Sequence, residues 1–95
     1  MSNKSIRVLL VDDHAVVRQG LRSYLESFGD IVIAGSAASG EEALNLLESS
    51  LPDVAVVDML MPGGMNGLET IHQARVLSPH TQVVVLSGYS DDARV

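Results

Sequence analysis

Two short aliphatic runs in this chain stop at acids. Ile6-Arg7-Val8-Leu9-Leu10-Val11 ends at Asp12-Asp13, and Val54-Ala55-Val56-Val57 ends at Asp58. Runs of this length, bounded by polar residues, read as buried strands of a parallel sheet. Ligands of open parallel sheets sit at the carboxyl ends of the strands. Acids closing two neighbouring strands therefore share one crevice. Clustered carboxylates repel each other and need a counter-charge, and an all-oxygen set suits Mg²⁺ better than zinc.

Helical periodicity fills the spaces between the runs. Val17, Leu21, Tyr24, Leu25 and Phe28 recur on one predicted helical face, and Gly29-Asp30 closes it. Gly20 falls inside that helix at a cost of about 1 kcal/mol relative to Ala, which points to close packing against a neighbour. Ile31 to Gly35 predicts a second strand. Ser39 then caps a second helix, with Glu42 three residues on completing a capping box; Ala43, Leu44 and Leu47 form its buried face. Pro52-Asp53 ends that helix before the strand that stops at Asp58. Asn66 and Glu69 repeat the capping pattern for a third helix, whose Leu68, Ile71, Ala74 and Leu77 are expected to face inward. Pro79 follows it, Gln82 to Leu86 predicts a fourth strand, and residues 90–95 open a further helical turn. The alternation predicts a parallel α/β sheet with helices on both faces.

Composition narrows the class. Ninety-five residues, 46% of them hydrophobic, support one core and one domain over residues 1–95. A net charge of -6 argues against this segment gripping nucleic acid by itself. Cysteine is absent, so thiolate metal sites and disulfides are excluded. Met1 to Arg7 lead straight into a strand without a signal-peptide core, and no stretch approaches the roughly 18 apolar residues of a membrane span. A cytoplasmic location without membrane contact is expected.

The ordered set of motifs resembles the receiver domain of two-component response regulators. It consists of Val11-Asp12-Asp13-His14 after one strand, Asp58 after another, Met61-Pro62 and Gly67, then Leu86-Ser87-Gly88. Residues 14–22, His-Ala-Val-Val-Arg-Gln-Gly-Leu-Arg, further resemble the NarL/FixJ subgroup, whose members usually carry a C-terminal helix-turn-helix domain. The resemblance implies a flavodoxin-like fold with strand order 2-1-3-4-5. It also implies a non-enzymatic phosphoacceptor that a sensor histidine kinase phosphorylates on Asp58. A carboxylate can form an acyl phosphate, and the transfer depends mainly on alignment and charge neutralisation.

By the same resemblance, Asp13 coordinates Mg²⁺ directly, Asp12 acts chiefly through bound water, and Asp58 and the Leu60 carbonyl complete the protein ligands. Ser87 would donate to a phosphoryl oxygen, and Gly88 would leave room beside Asp58. The loop from Met61 to Gly67 has one residue more than the family pattern, most simply at Gly63-Gly64, beyond Leu60. Each residue also has an ordinary reading. One acid of the pair can cap a helix, and Ser87-Gly88 can be a strand-end turn. His14 beside hard oxygen ligands is expected to shape the start of the helix rather than bind metal. His72 and His80 read as solvated.

The family pattern has a fifth strand with a lysine and a fifth helix. Lys4 is the only lysine here, so the sheet is expected to be incomplete at four strands. A receiver fragment serving only as a dimerisation or binding module is therefore the alternative reading. A haloacid-dehalogenase-type phosphatase fits poorly, because it wants Asp two residues after its nucleophile and position 60 is Leu. DNA would be reached only through an effector domain outside this chain. Val83 to Leu86 form an edge that invites a second copy or a domain swap. Size-exclusion chromatography with light scattering is expected to show association that grows with concentration; a stable monomer at every concentration contradicts it.

Overall fold

The structure is a computed structural model that describes residues 5–58 and 67–86. Strands β1 (Ile6–Val11), β2 (Ile31–Ala37), β3 (Val54–Asp58) and β4 (Gln82–Leu86) alternate with helices α1 (Ala15–Glu26), α2 (Gly40–Ser50) and α3 (Gly67–Leu77). All pairings are parallel, in the order β2-β1-β3-β4. This is the flavodoxin-like arrangement expected from the sequence, with four strands among the described residues.

Alternation along β1 divides the core between the two faces of the sheet. Leu9 and Val11 join Ala37, Ala55 and Val57 beneath Ala43 and Leu47 of α2 and Ala74 of α3. Val8 and Leu10 face the other way with Ile33, where Leu21 and Leu25 of α1 cover them. Leu9 is completely buried and Leu10 nearly so. A central strand buried on both faces must be apolar along its length, which explains the unbroken run from Val8 to Val11.

The helix-facing residues partly depart from expectation. None of the α1 residues is fully buried. Val17, Tyr24 and Phe28 are exposed, and the two aromatic rings meet edge to face with centroids 5.2 Å apart. In α3, Leu68 and Leu77 also face solvent, while Thr70 and Ala74 are buried and Ile71 packs against the core. Here small and hydroxylated residues fit where the helix lies close to α2 and the sheet. The second strand runs two residues past Gly35, to Ala37. Its register slips between Val8 and Leu9, leaving an extra residue at Ala34.

Caps and turns follow local chemistry. Ser39 accepts from the Glu42 N–H at 3.1 Å, while the Glu42 carboxylate accepts from Ala38 N–H at 2.9 Å. The box thus closes one residue before the cap. Leu51 ends α2 in the left-handed region, at φ 46°, and its N–H reaches the Leu47 carbonyl. The Arg7 guanidinium covers the Ser50 and Leu51 carbonyls, a favourable place for a cation at a helix C-terminus.

Backbone bonds tie Asp53 to Arg7 and to Gln82 at the amino end of the sheet. Nearby, Thr81 donates to the Pro52 carbonyl at 2.7 Å and shares a hydrogen bond of 2.6 Å with Ser78. This buried polar knot joins the turn after α2 to the turn after α3. Neither hydroxyl was singled out by the hydropathy pattern.

Gly20 does not serve close packing. A Cβ built there meets nothing within 4 Å among the described residues. Its conformational cost in mid-helix is therefore not offset by any contact. Gly20→Ala is expected to stabilise the chain by about 1 kcal/mol, read as a higher urea midpoint with an unchanged slope; destabilisation would reveal a neighbour at this position.

Candidate metal and phosphoacceptor site

Register brings the acids together. Val11 of β1 lies opposite Val57 of β3, so the next residue on each strand, Asp12 and Asp58, emerges at the same edge of the sheet. The Asp12 N–H extends the ladder by one step, donating to the Ala37 carbonyl of β2 at 3.0 Å. Asp58 is the last residue of β3 and pairs with Leu86 of β4. Both side chains are well enclosed, with Asp12 5% and Asp58 4% exposed. Asp13 is half-buried in the turn toward α1.

Asp12, Asp13, His14 and Asp58 each offer one ligand atom, and these four atoms lie within 4.8 Å of one another. Asp12 Oδ1 accepts from the His14 backbone N–H at 2.8 Å and contacts His14 Nδ1 at 2.8 Å. The first of these bonds makes a tight side-chain turn that delivers the chain to α1. His14 is the residue at the N-cap position, but its own side chain caps nothing in the helix. Its ring is turned onto the acids instead. That contact with Asp12, the nearby negative charge of Asp13 and the charges of Asp12 and Asp58 hold the imidazole pKa above its usual value, against a smaller desolvation effect.

Asp13 Oδ1 shows what the cluster lacks. It lies 3.0 Å from the same imidazole nitrogen, yet it is buried without an aligned hydrogen bond. A carboxylate oxygen cut off from water and left without a donor is costly, and a cation relieves the cost. Mg²⁺ is bound by few protein carboxylates and keeps several waters, so oxygens gathered within 4.8 Å of one another would offer it a seat. The three carboxylates therefore fit a small, hard dication.

The sequence-predicted ligands Asp12, Asp13 and Asp58 are thus brought together. Leu60, Ser87 and Gly88, together with the Met61 to Asn66 loop and the helical turn at 90–95, lie outside the described residues. One further contact was not anticipated. Arg18 Nη1 donates to the Asp12 backbone carbonyl at 2.6 Å. The available signal was position, since Arg18 stands four residues after His14, one turn into the helix that begins behind the acids.

Comparison with known proteins agrees with this geometry. The family profile of the response regulator receiver domain matches residues 8–95. The transcriptional regulatory protein LiaR of Bacillus subtilis is 43% identical over 91 residues, covering 95% of this chain and 42% of that protein. The nitrate/nitrite response regulator NarL of Escherichia coli is 41% identical over 88 residues, covering 92% of this chain and 40% of its own length. The chain thus spans about two fifths of the length of these curated relatives. Among solved structures, the response regulator domain of Thermotoga maritima CheB superposes with a TM-score of 0.82 at 32% identity, covering 94% of this chain and 65% of that one. The isolated receiver domain of RcsB from Salmonella enterica, determined with the phosphomimetic BeF3, gives 0.83 at 25% identity, covering 95% and 67%. Sequence profile, strand order and the position of the acid cluster lead to one assignment: the chain belongs to the response regulator receiver domain family, the signalling domains of two-component systems.

Proposed function

We propose that this chain is a phosphoacceptor switch, with Asp58 receiving a phosphoryl group from a phosphohistidine on a sensor kinase. The observation that carries the reading is the convergence of Asp12, Asp13 and Asp58 at the carboxyl ends of two adjacent strands. An Asp58 carboxylate oxygen would form the new bond to phosphorus while the phosphorus–nitrogen bond to the donor imidazole breaks. An acyl phosphate results, and the electron pair leaves with the donor. Burial of Asp58 restricts the competing access of water.

Mg²⁺, when held by Asp13, Asp58 and the Leu60 carbonyl with Asp12 acting through water, supplies charge neutralisation for the transferring group. Ser87 follows directly after Leu86, the β4 partner of Asp58, and is proposed to donate to the phosphoryl oxygens beside the small Gly88. Engagement of Ser87 would then shift the population of an output surface.

The named transcriptional regulators among the relatives support an output on gene expression, exerted in the cytoplasm through a DNA-binding domain outside this chain. No helix of the described residues is long and apolar enough to cross a membrane. The module reading retains one supporting observation. Val84 and Val85 on β4 are 48% and 45% exposed, an apolar edge suited to a second chain.

Incubation with acetyl phosphate and Mg²⁺ followed by intact-mass spectrometry tests the switch. A phosphate-sized mass gain that disappears in Asp58→Asn is the expected result, and no gain in the unaltered protein favours the module. The acid pocket has its own test without metal. His14 gains its hydrogen-bond partner only on folding, so its folded pKa lies above the unfolded value near 6.5. The contribution of that contact to stability is complete below the unfolded value and is lost as pH rises through the folded one. In an NMR titration the His14 ring is expected to titrate above 6.5, and Asp12→Asn should move the midpoint back down; an unmoved midpoint would show that Asp12 is not the cause.

A further inference from the structure

We propose that Arg18 is the positioning residue of the acid pair, holding the Asp12–Asp13 peptide so that both carboxylates are aimed at the cation pocket. This rests on the phosphoacceptor reading only insofar as the pocket takes a divalent ion. The Asp12 carbonyl belongs to the peptide unit that joins the two acids. Its orientation sets the direction in which Asp13 leaves the chain, because a peptide is planar and turns as one body.

Three bonds grip this short segment. Asp12 N–H is held by the Ala37 carbonyl of β2 at 3.0 Å, and Asp12 Oδ1 by the His14 N–H at 2.8 Å. Arg18 Nη1 holds the Asp12 carbonyl at 2.6 Å. The first two act on Asp12 itself. Among the described residues, the third alone acts directly on the peptide plane leading into Asp13.

A restraint is needed there for an electrostatic reason. Three carboxylates contribute ligand atoms within 4.8 Å, and their mutual repulsion drives the mobile member of the set outward. Asp13 is that member, since Asp12 continues the β1 ladder by one bond and Asp58 closes β3, while Asp13 stands in the turn. A charge-assisted hydrogen bond from a guanidinium is stronger than a neutral one. It is delivered from α1, whose first turn is closed by the Arg18 N–H to the His14 carbonyl at 3.0 Å. The same residue thus closes the helix start through its backbone N–H and holds the acid pair through its guanidinium.

Arg22 provides the matched control. It lies one turn further along α1, and its guanidinium meets Glu26 at 3.5 Å on the surface. Both arginines bring one positive charge to the same helix. Only Arg18 reaches the Asp12 carbonyl.

The test uses Mn²⁺ as probe on the full chain, with the free ion counted by electron paramagnetic resonance. Arg18→Met keeps the side-chain stem and a good helix former while removing every donor; it is expected to weaken Mn²⁺ binding roughly tenfold, the usual effect of losing an outer-shell partner. Arg22→Ala should bind as the unaltered protein does. A second readout needs no metal: the Asp13 amide resonance should move in Arg18→Met and stay in place in Arg22→Ala, because the Asp12 carbonyl and the Asp13 N–H share one peptide. Unchanged Mn²⁺ affinity in Arg18→Met, an equal loss in Arg22→Ala, or an unmoved Asp13 resonance overturns the positioning role. Absence of Mn²⁺ binding in the unaltered protein overturns the pocket reading instead, and leaves the Asp13 resonance to judge Arg18.

Discussion

The parallel pairing of β1 with β3 is the constraint on which the site depends. Val8 to Val11 lie opposite Val54 to Val57, and a shift of one residue would turn every side chain of one strand to the other face. Leu9 and Val11 would then leave the core beneath α2, while Leu10 would lose the cover of α1. The alternating burial of these aliphatic side chains thus sets the height at which both strands end. Residues separated by more than forty positions come within ligand distance because the apolar packing below them permits no other register.

The sheet positions the acids, but the helix behind β1 makes the position usable. The turn from Asp12 to His14 must carry two negative charges past a third. It does so with side-chain-to-backbone bonds that begin inside the turn, the Asp12 carboxylate on the His14 N–H and the Arg18 guanidinium on the Asp12 carbonyl. These bonds fix the exit of the chain into α1, so orientation of the acids and the start of the helix are one structural event. Asp13 Oδ1 remains buried without an aligned donor, and it is there that an arriving cation relieves a cost.

The strands and the acid site were largely legible in the sequence because short aliphatic runs and their terminal acids express a physical requirement at adjacent positions. Ser39 and Glu42 were legible for the same reason, although the Glu42 carboxylate turned to Ala38 instead of Ser39. Helix faces were read less well. Leu68 and Leu77 looked like core residues by hydropathy, but proximity of α3 to its neighbours favours Thr70 and Ala74 there. The roles of Arg18, Ser78 and Thr81 depend on where a side chain meets a distant backbone carbonyl, which no local pattern reports. The packing suggested for Gly20 also failed, since a missing side chain in mid-helix does not reveal whether anything stands opposite it.

The hydroxyl knot of Ser78 and Thr81 on the Pro52 carbonyl has a mechanical consequence. Together with the backbone bonds of Asp53 to Arg7 and Gln82, it clamps three strands at the pole farthest from the acids. Local opening there must break buried hydrogen bonds between separate turns, so its free energy lies toward the global value, not near that of a fraying loop. The molecule is therefore built like a cantilever, anchored at one end and loaded at the other. Whatever charge arrives at the loaded end works against a foundation that stays still.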